Sequence, residues 1–245
     1  MTRRRRPGAR DRAPERGDAV SAPTKLGPTL KRGEKVFEYR GGRVVYEILG
    51  KEGDFIALTP GGRFSKDIEG LRPLARELVK GGYRVLLWDR PNCGKSDVQF
   101  YGQSESHMRA ETLHALITGL DIGPCIIAGG SGGARDSMLT TMLYPEIVRK
   151  LVVWNIVGGV YGSFVLGSYY IIPSILAVRG AGMRGVIAVD EWQQRIAENP
   201  ANRERFLSMD PDEFLKVMLR WLNAFVPKPG QTIPGVEDEM FDNIK

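Results

Sequence analysis

Residues 125–134 read Cys125-Ile126-Ile127-Ala128-Gly129-Gly130-Ser131-Gly132-Gly133-Ala134. The first four are small or β-branched apolar residues, the composition of a short buried strand. From Ala134 to Leu143 the spacing is helical, and Pro145 ends the run. Between strand and helix lies G-x-S-x-G, with Gly129, Ser131 and Gly133 in the required places. A chain that passes from strand to helix this abruptly needs a strained central residue and neighbours without side chains. Such a turn lifts the Ser131 hydroxyl to the edge of the sheet. It also sets the Gly132 N–H at a helix N-terminus, where a developing negative oxygen is stabilised. A Gly/Ser-rich loop is the plainer reading of a bare match, and the strand before and helix after favour the reactive one.

Working outward, short β-rich runs alternate with helical patterns, which predicts an α/β fold with a mostly parallel sheet and helices on both faces. Residues 36–39 and 43–48 flank Gly41-Gly42 as a hairpin, and residues 55–58 form the next strand. A helix over residues 71–80 has apolar side chains at 71, 74, 75 and 78, and Gly81-Gly82 ends it. Residues 83–88 are apolar on both faces, as in a central strand. A helix over 106–120 and a strand over 151–154 complete the series. After residue 158 the strand signal disappears. Asp190 precedes a helix over 191–198, and Asp210-Pro211 with Glu213 starts another ahead of residues 214–225. A helical block inserted there predicts a cap over the C-terminal ends of the strands.

The chain has 245 residues, 42% hydrophobic and 26% charged, with a net charge of +6. Residues 1–35 carry 11 Lys/Arg against 4 Asp/Glu, so the remainder is close to neutral. Basicity belongs to a tail, expected to be disordered because it has almost nothing large and apolar. The tail's arginines, Arg3 to Arg6, offer a weak case for a contact with nucleic acid or anionic lipid, and the body offers none for nucleic acid. The expected division is tail 1–35, core 36–158, helical cap 159–240 and a closing segment 241–245. No apolar stretch follows the arginines, and residues 164–178, interrupted by Pro173, fall short of the roughly 20 a membrane span needs. Cys93 and Cys125 read as reduced thiols, so a cytoplasmic location is expected. No metal cluster or dinucleotide fingerprint is present, and no cofactor is expected.

Two further loops follow buried strands. Thr59-Pro60-Gly61-Gly62-Arg63-Phe64 could bend its backbone toward a substrate, which makes the Gly62 N–H a candidate second oxyanion donor. The other is Asp89-Arg90-Pro91-Asn92-Cys93-Gly94-Lys95-Ser96-Asp97. Its Gly94-Lys95-Ser96 echoes the end of a P-loop, but that motif needs glycine where Asp89 stands, and Pro91 interrupts it.

In this order and spacing, the three motifs resemble those of the α/β-hydrolase fold enzymes, close to the esterase and C–C hydrolase group with a helical cap. The likeness covers about residues 36–245. It implies Ser131 as nucleophile, Gly62 and Gly132 as oxyanion donors, and 89–97 as a loop shaping the site. Pro60 stands where the family often has histidine. Serine at 131 argues against members that open epoxides or remove halides through an aspartate, leaving a small-molecule ester, lactone or related acyl substrate. Tyr161, Phe164, Tyr169, Tyr170, Trp192, Trp221 and Phe225 could serve an apolar substrate or simply pack the cap.

In this fold the chain order is serine, then acid, then histidine. Both histidines here, His107 and His114, precede Ser131 and read as ordinary helix residues. Residues 241–245 resemble the lead-in to a seventh strand, so the expectation is that the chain ends before the acid and base. A non-catalytic binding or interaction module on the same fold, or an inactive fragment, is the alternative. An apolar edge strand at 151–154 further predicts self-association and a possible homo-oligomer.

Overall fold

The computed structural model describes residues 27–244. Most of the expected tail lies outside the described residues, but its inner boundary moves. Glu34 is buried, paired with Lys66 and with Lys95 Nζ at 2.6 Å, and the first strand starts at Lys35. Two amines around one buried carboxylate tie the chain down where a free tail was expected.

In chain order the elements are β1 (Lys35–Tyr39), β2 (Gly42–Leu49), β3 (Phe55–Thr59), α1 (Leu71–Lys80), β4 (Arg84–Trp88), α2 (Glu105–Gly119), β5 (Cys125–Gly130), α3 (Gly132–Leu143) and β6 (Val148–Trp154). Five helices follow: α4 (Gly159–Tyr170), α5 (Ile172–Val186), α6 (Asp190–Glu198), α7 (Ala201–Leu207) and α8 (Pro211–Asn223). The sheet order is β1-β2-β4-β3-β5-β6, antiparallel at β1-β2 and β2-β4 and parallel from β4 to β6. Alternation along the strands feeds two cores. Ala57, Leu86 and Trp88 pack with Leu113, Leu116 and Ile117 of α2, while Leu58, Val85 and Leu87 pack with Leu71 and Ala75 of α1. The connection through α1 leads from β3 to β4 on one side, and that through α2 returns to β5 on the other. The chain therefore reverses direction beside the C-terminal end of β3, the place where open α/β sheets form a crevice.

Element ends differ from the sequence expectation where glycine propensity misleads. β5 runs on through Gly129 and Gly130, because parallel pairing with Val153 and Trp154 outweighs their weak strand preference. α3 starts at Gly132 rather than 134, since at a helix N-terminus glycine costs little. β6 starts at Val148 rather than 151, so this edge strand carries Arg149 and Lys150 as well as its apolar half.

The helical block has its own aromatic core. Phe100, from the loop ahead of α2, inserts among Trp192, Phe206, Phe214 and Trp221 at ring separations of 4.9–5.6 Å. Asn199 donates to Lys95 O and Asp97 Oδ1, and Asn202 Oδ1 accepts from Val98 N. The block is thus pinned to the 89–97 loop by directional bonds as well as by apolar burial. The stretch Gly159–Glu198 is apolar and long enough to cross a membrane by composition, with a mean hydropathy of 1.4 in its most apolar part. It is not one straight rod, because Ala181 (φ −146°) and Gly182 (φ +59°) break α5 internally. A 12-residue α4 spans about 18 Å, well short of a hydrocarbon core of about 30 Å.

The closing segment also differs from expectation. Asp238–Asn243 form a 3-10 helix rather than extended chain, and Met240, Phe241 and Ile244 pack beside Met138, Leu139 and Met142 of α3.

Candidate active site

Parallel pairing of β3 with β5 sets Thr59 opposite Gly129, so the loops leaving both strands emerge side by side. Ser131 stands at the turn with φ 54° and ψ −119°, a left-handed backbone that a residue with a Cβ adopts only under constraint. The constraint is visible: Ser131 N donates to Trp154 O at 3.0 Å, while its carbonyl accepts from Ala134 N at 3.0 Å. A side chain at Gly133 would run into the carbonyls of Thr59 and Pro60, and one at Gly129 into that of Gly133. Both glycines are there because backbone passes backbone with no room for Cβ.

The first loop lies against this turn. A Cβ on Gly132 would sit 3.1 Å from Gly62 N, and one on Gly61 would sit 3.2 Å from Ser131 Cβ. Gly62 has φ +47°, which favours glycine. Gly62, Ser131 and Gly132, the three residues singled out from the sequence, line one small cavity of about 30 Å³ together with Arg63, Glu105, Arg109, Arg135, Leu166, Tyr170 and Phe225. Arg90 holds the loop in place: its Nη2 donates to the carbonyls of Gly61 and Gly62, each at 2.8 Å, and its Nη1 to Asp136 Oδ2 at 2.8 Å. These bonds fix the positions of the Gly61 and Gly62 carbonyls.

The 89–97 loop is structural in its bonding. Asp89 accepts from Lys66 N at 2.6 Å and Lys95 N at 3.0 Å, and Gly94 lies so close to its carboxylate that no side chain fits. Lys95 Nζ is spent on Glu34, so nothing of a phosphate loop remains.

A layer of charge beneath the cavity was not legible as such in the sequence. Arg63 Nε bonds Glu105 at 3.0 Å, and its Nη1 bonds Glu191 at 2.7 Å. Arg109 also pairs with Glu105 at 3.0 Å. Burial pushes the Glu105 carboxyl up, but Arg109, Arg63 and the Asn92 amide outweigh it and hold the group at about 2. Burial pushes Glu191 above the usual carboxylate range, with Arg63 offsetting only part of it. One signal was available: Arg135 stands four residues after Ser131, in the first turn of α3.

Neither histidine reaches the cavity. His107 Nδ1 pairs with Ser104 Oγ at 2.8 Å, and burial lowers its pKa. His114 stacks on Tyr144 at 4.2 Å, with Nε2 at 3.3 Å from Glu146. Of the seven aromatics, only Tyr170 and Phe225 line the cavity. Trp192 and Trp221 are fully buried in the block's core, whereas Tyr161, Phe164 and Tyr169 face solvent, Tyr161 at 82% exposure. Helical periodicity sends one stripe inward and its opposite outward. Among the described residues, no group of three or more His, Cys, Asp or Glu side chains could hold a metal ion.

No family model matches the chain. Over 85 residues it is 41% identical to a 2-hydroxy-6-oxononadienedioate/2-hydroxy-6-oxononatrienedioate hydrolase of Escherichia coli, a match covering 35% of this chain and 29% of that protein. The structure is similar to MGS-M2, an alpha/beta hydrolase enzyme from a Medee basin deep-sea metagenome library (TM-score 0.51, 20% identity, 86% of this chain and 76% of that one). It is also similar to Est816, described as an N-acyl homoserine lactone degrading enzyme (TM-score 0.53, 16% identity, 86% and 78%). With a mostly parallel six-stranded sheet, the strained serine turn between β5 and α3, and these neighbours, the chain has the α/β-hydrolase fold.

Proposed function

We propose that this chain is a serine hydrolase acting on a carboxylic ester, lactone or related acyl substrate, with Ser131 as the nucleophile. The observation that carries this reading is the Ser131 turn, strained at φ 54° and opening on a cavity shared with Gly62 and Gly132. In the reaction, Ser131 Oγ attacks the acyl carbon and the carbonyl oxygen becomes an oxyanion. The Gly62 and Gly132 N–H groups are the proposed donors to it. Collapse breaks the bond to the alcohol oxygen, which takes up the proton that Ser131 gives up, and leaves an acyl-enzyme; water then cleaves it, releasing the acid and restoring the Ser131 hydroxyl. The helices from Gly159 onward serve as the cap, with Leu166, Tyr170 and Phe225 facing the acyl group. One relative is named a hydrolase and one structural neighbour a lactone-degrading enzyme, which is consistent with this reading.

A second reading, a non-catalytic binding module on the same fold, is favoured by one observation. Among the described residues no histidine lines the cavity, so Ser131 has no evident proton acceptor. Activated esters separate the two, because their leaving groups need little acid–base help. Incubation with p-nitrophenyl acetate should give slow turnover and an acetyl adduct on Ser131 by mass spectrometry, absent in Ser131→Ala. An unmodified Ser131 under conditions that acetylate surface lysines supports the module instead.

A further inference from the structure

The helix α4 has no charged residue, and none occurs anywhere in residues 151–178. A helix that is apolar all round belongs inside a core or against lipid. In this fold only one side of α4 is covered: Gly162, Ser163 and Gly167 are buried, and Leu166 and Tyr170 line the Ser131 cavity. The other side faces solvent, with Val160 and Phe164 both at 69% exposure and Tyr161 and Tyr169 beside them. The first half of α5 adds Leu176, exposed at 66%. Of the most apolar part of residues 159–198, 28% is buried, too little for the core helix of a globular protein. Exposed apolar surface gathered in this way marks a contact with another protein or with a membrane.

Charge selects between those occupants. From Glu146 to Asp190 the intervening chain has no acidic residue. Arg179 and Arg184 are exposed on α5, and Arg179 follows Leu176 by three residues, on the same stripe. The acids that come next are used elsewhere, Glu191 by Arg63 and Glu198 by Arg195. Arg149 and Lys150 take no part, because they lie at the far end of β6, where Arg149 pairs with Asp54. A two-fold contact pairs a surface with itself, so a second copy would bring these cations to the interface with no carboxylate to meet them. An anionic bilayer supplies both halves of what this face lacks: hydrocarbon for the apolar side chains and negative headgroups for the arginines.

We propose that the outward side of α4, with Leu176 and Arg179 of α5, is a docking surface for an anionic lipid bilayer, on which α4 lies in the plane of the interface. Phe164 and Val160 enter the acyl boundary. Tyr161 and Tyr169 carry a ring with a hydroxyl at its end, the kind of side chain that settles at headgroup level. Arg179 and Arg184 have aliphatic stems long enough to lie along the apolar layer while their guanidinium groups reach the lipid phosphates. The break at Ala181–Gly182 and the short α4 fit a helix resting on the surface rather than crossing it. This docking does not depend on the reading of Ser131 as a nucleophile.

Flotation of the full chain with phosphatidylcholine vesicles, pure or with about a third of the lipid as phosphatidylserine, tests this. The chain should bind the anionic vesicles at least ten-fold more tightly than the neutral ones, and added salt should weaken that binding. Phe164→Asp should weaken it at least ten-fold with an unchanged urea midpoint, and Arg179→Gln combined with Arg184→Gln should remove most of the preference for anionic lipid. If Phe164→Asp fails to fold, Phe164→Ser decides. A polarity-sensitive dye on Tyr161→Cys, selective because Cys93 and Cys125 are buried, should shift to the blue on anionic vesicles. Ser131→Ala should bind as the parent does. No binding to either vesicle, equal binding to both, a lipid preference untouched by the two arginine changes, or binding that survives Phe164→Asp would each overturn the proposal. Binding lost on replacing Arg3 to Arg6 by serine but kept in Phe164→Asp would assign the contact to the tail instead. A lower mass of Phe164→Asp in light scattering, with vesicle binding intact, would assign this face to a second copy.

Discussion

Ser131 holds a left-handed backbone that costs on the order of 1–3 kcal/mol, and the surrounding packing maintains it. Glycines 129 and 133 make that possible by letting the turn press against β3 and α3. Below it, Glu105 anchors two arginines, which makes stability depend on pH in a definite direction. Its carboxyl is lowered from an ordinary value of 4.5 to about 2 in the folded protein, so the unfolded chain binds the proton more readily. The stabilisation is fully present above about pH 4.5 and is lost as pH falls toward 2. Urea midpoints measured from pH 6 down to pH 3 should therefore decline, and Glu105→Gln should start lower and decline less steeply. A variant with the same pH slope as the parent would show that Glu105 is not responsible.

Among the elements, α8 states its start in sequence. Asp210 accepts from the backbone N–H groups of Asp212 and Glu213, both at 2.9 Å, and Pro211 occupies the first turn, where its missing donor is not needed. Phe214, Met218 and Trp221 then recur at helical spacing and bury one face. Asp210→Ala should cost about 1 kcal/mol by urea denaturation, the usual worth of such a cap. No change would mean that packing alone fixes the helix. Legibility fails in α3 and α5. Glycines at 132, 133, 180, 182 and 185 carry little local preference, so neighbours decide whether they continue, start or break a helix. In α5 a break at Ala181–Gly182 resulted, and in α3 an earlier start.

For the whole molecule, β6 is one of the two edges of the sheet, with β1 at the other. The first half of β6 carries Arg149, paired with Asp54 at 2.6 Å, and Lys150, which discourage strand addition. Its second half does not, with Val152 at 51% exposure beside Trp154 and a groove bordered by Asn243 and Ile244. The chain should therefore self-associate at micromolar concentration in light scattering, and Val152→Lys should shift it toward monomer. A parent chain of monomer mass across the concentration range would refute this.

What the sequence determined alone is what local spacing can encode. The short apolar runs, the G-x-S-x-G turn and the Asp210-Pro211 start announce an α/β sheet, a serine at a strand–helix junction and a helical block. These are readable because each constraint acts within a few residues, through steric limits on the backbone or through periodicity. The tertiary structure alone decided that Gly62 lies beside Gly132, that Arg90 holds the first loop by its carbonyls, and that Arg135 lines the cavity with no carboxylate within 4.0 Å among the described residues. Those contacts join residues many positions apart, and a buried charge's partner is chosen by the topology that encloses it rather than by its neighbours in the chain.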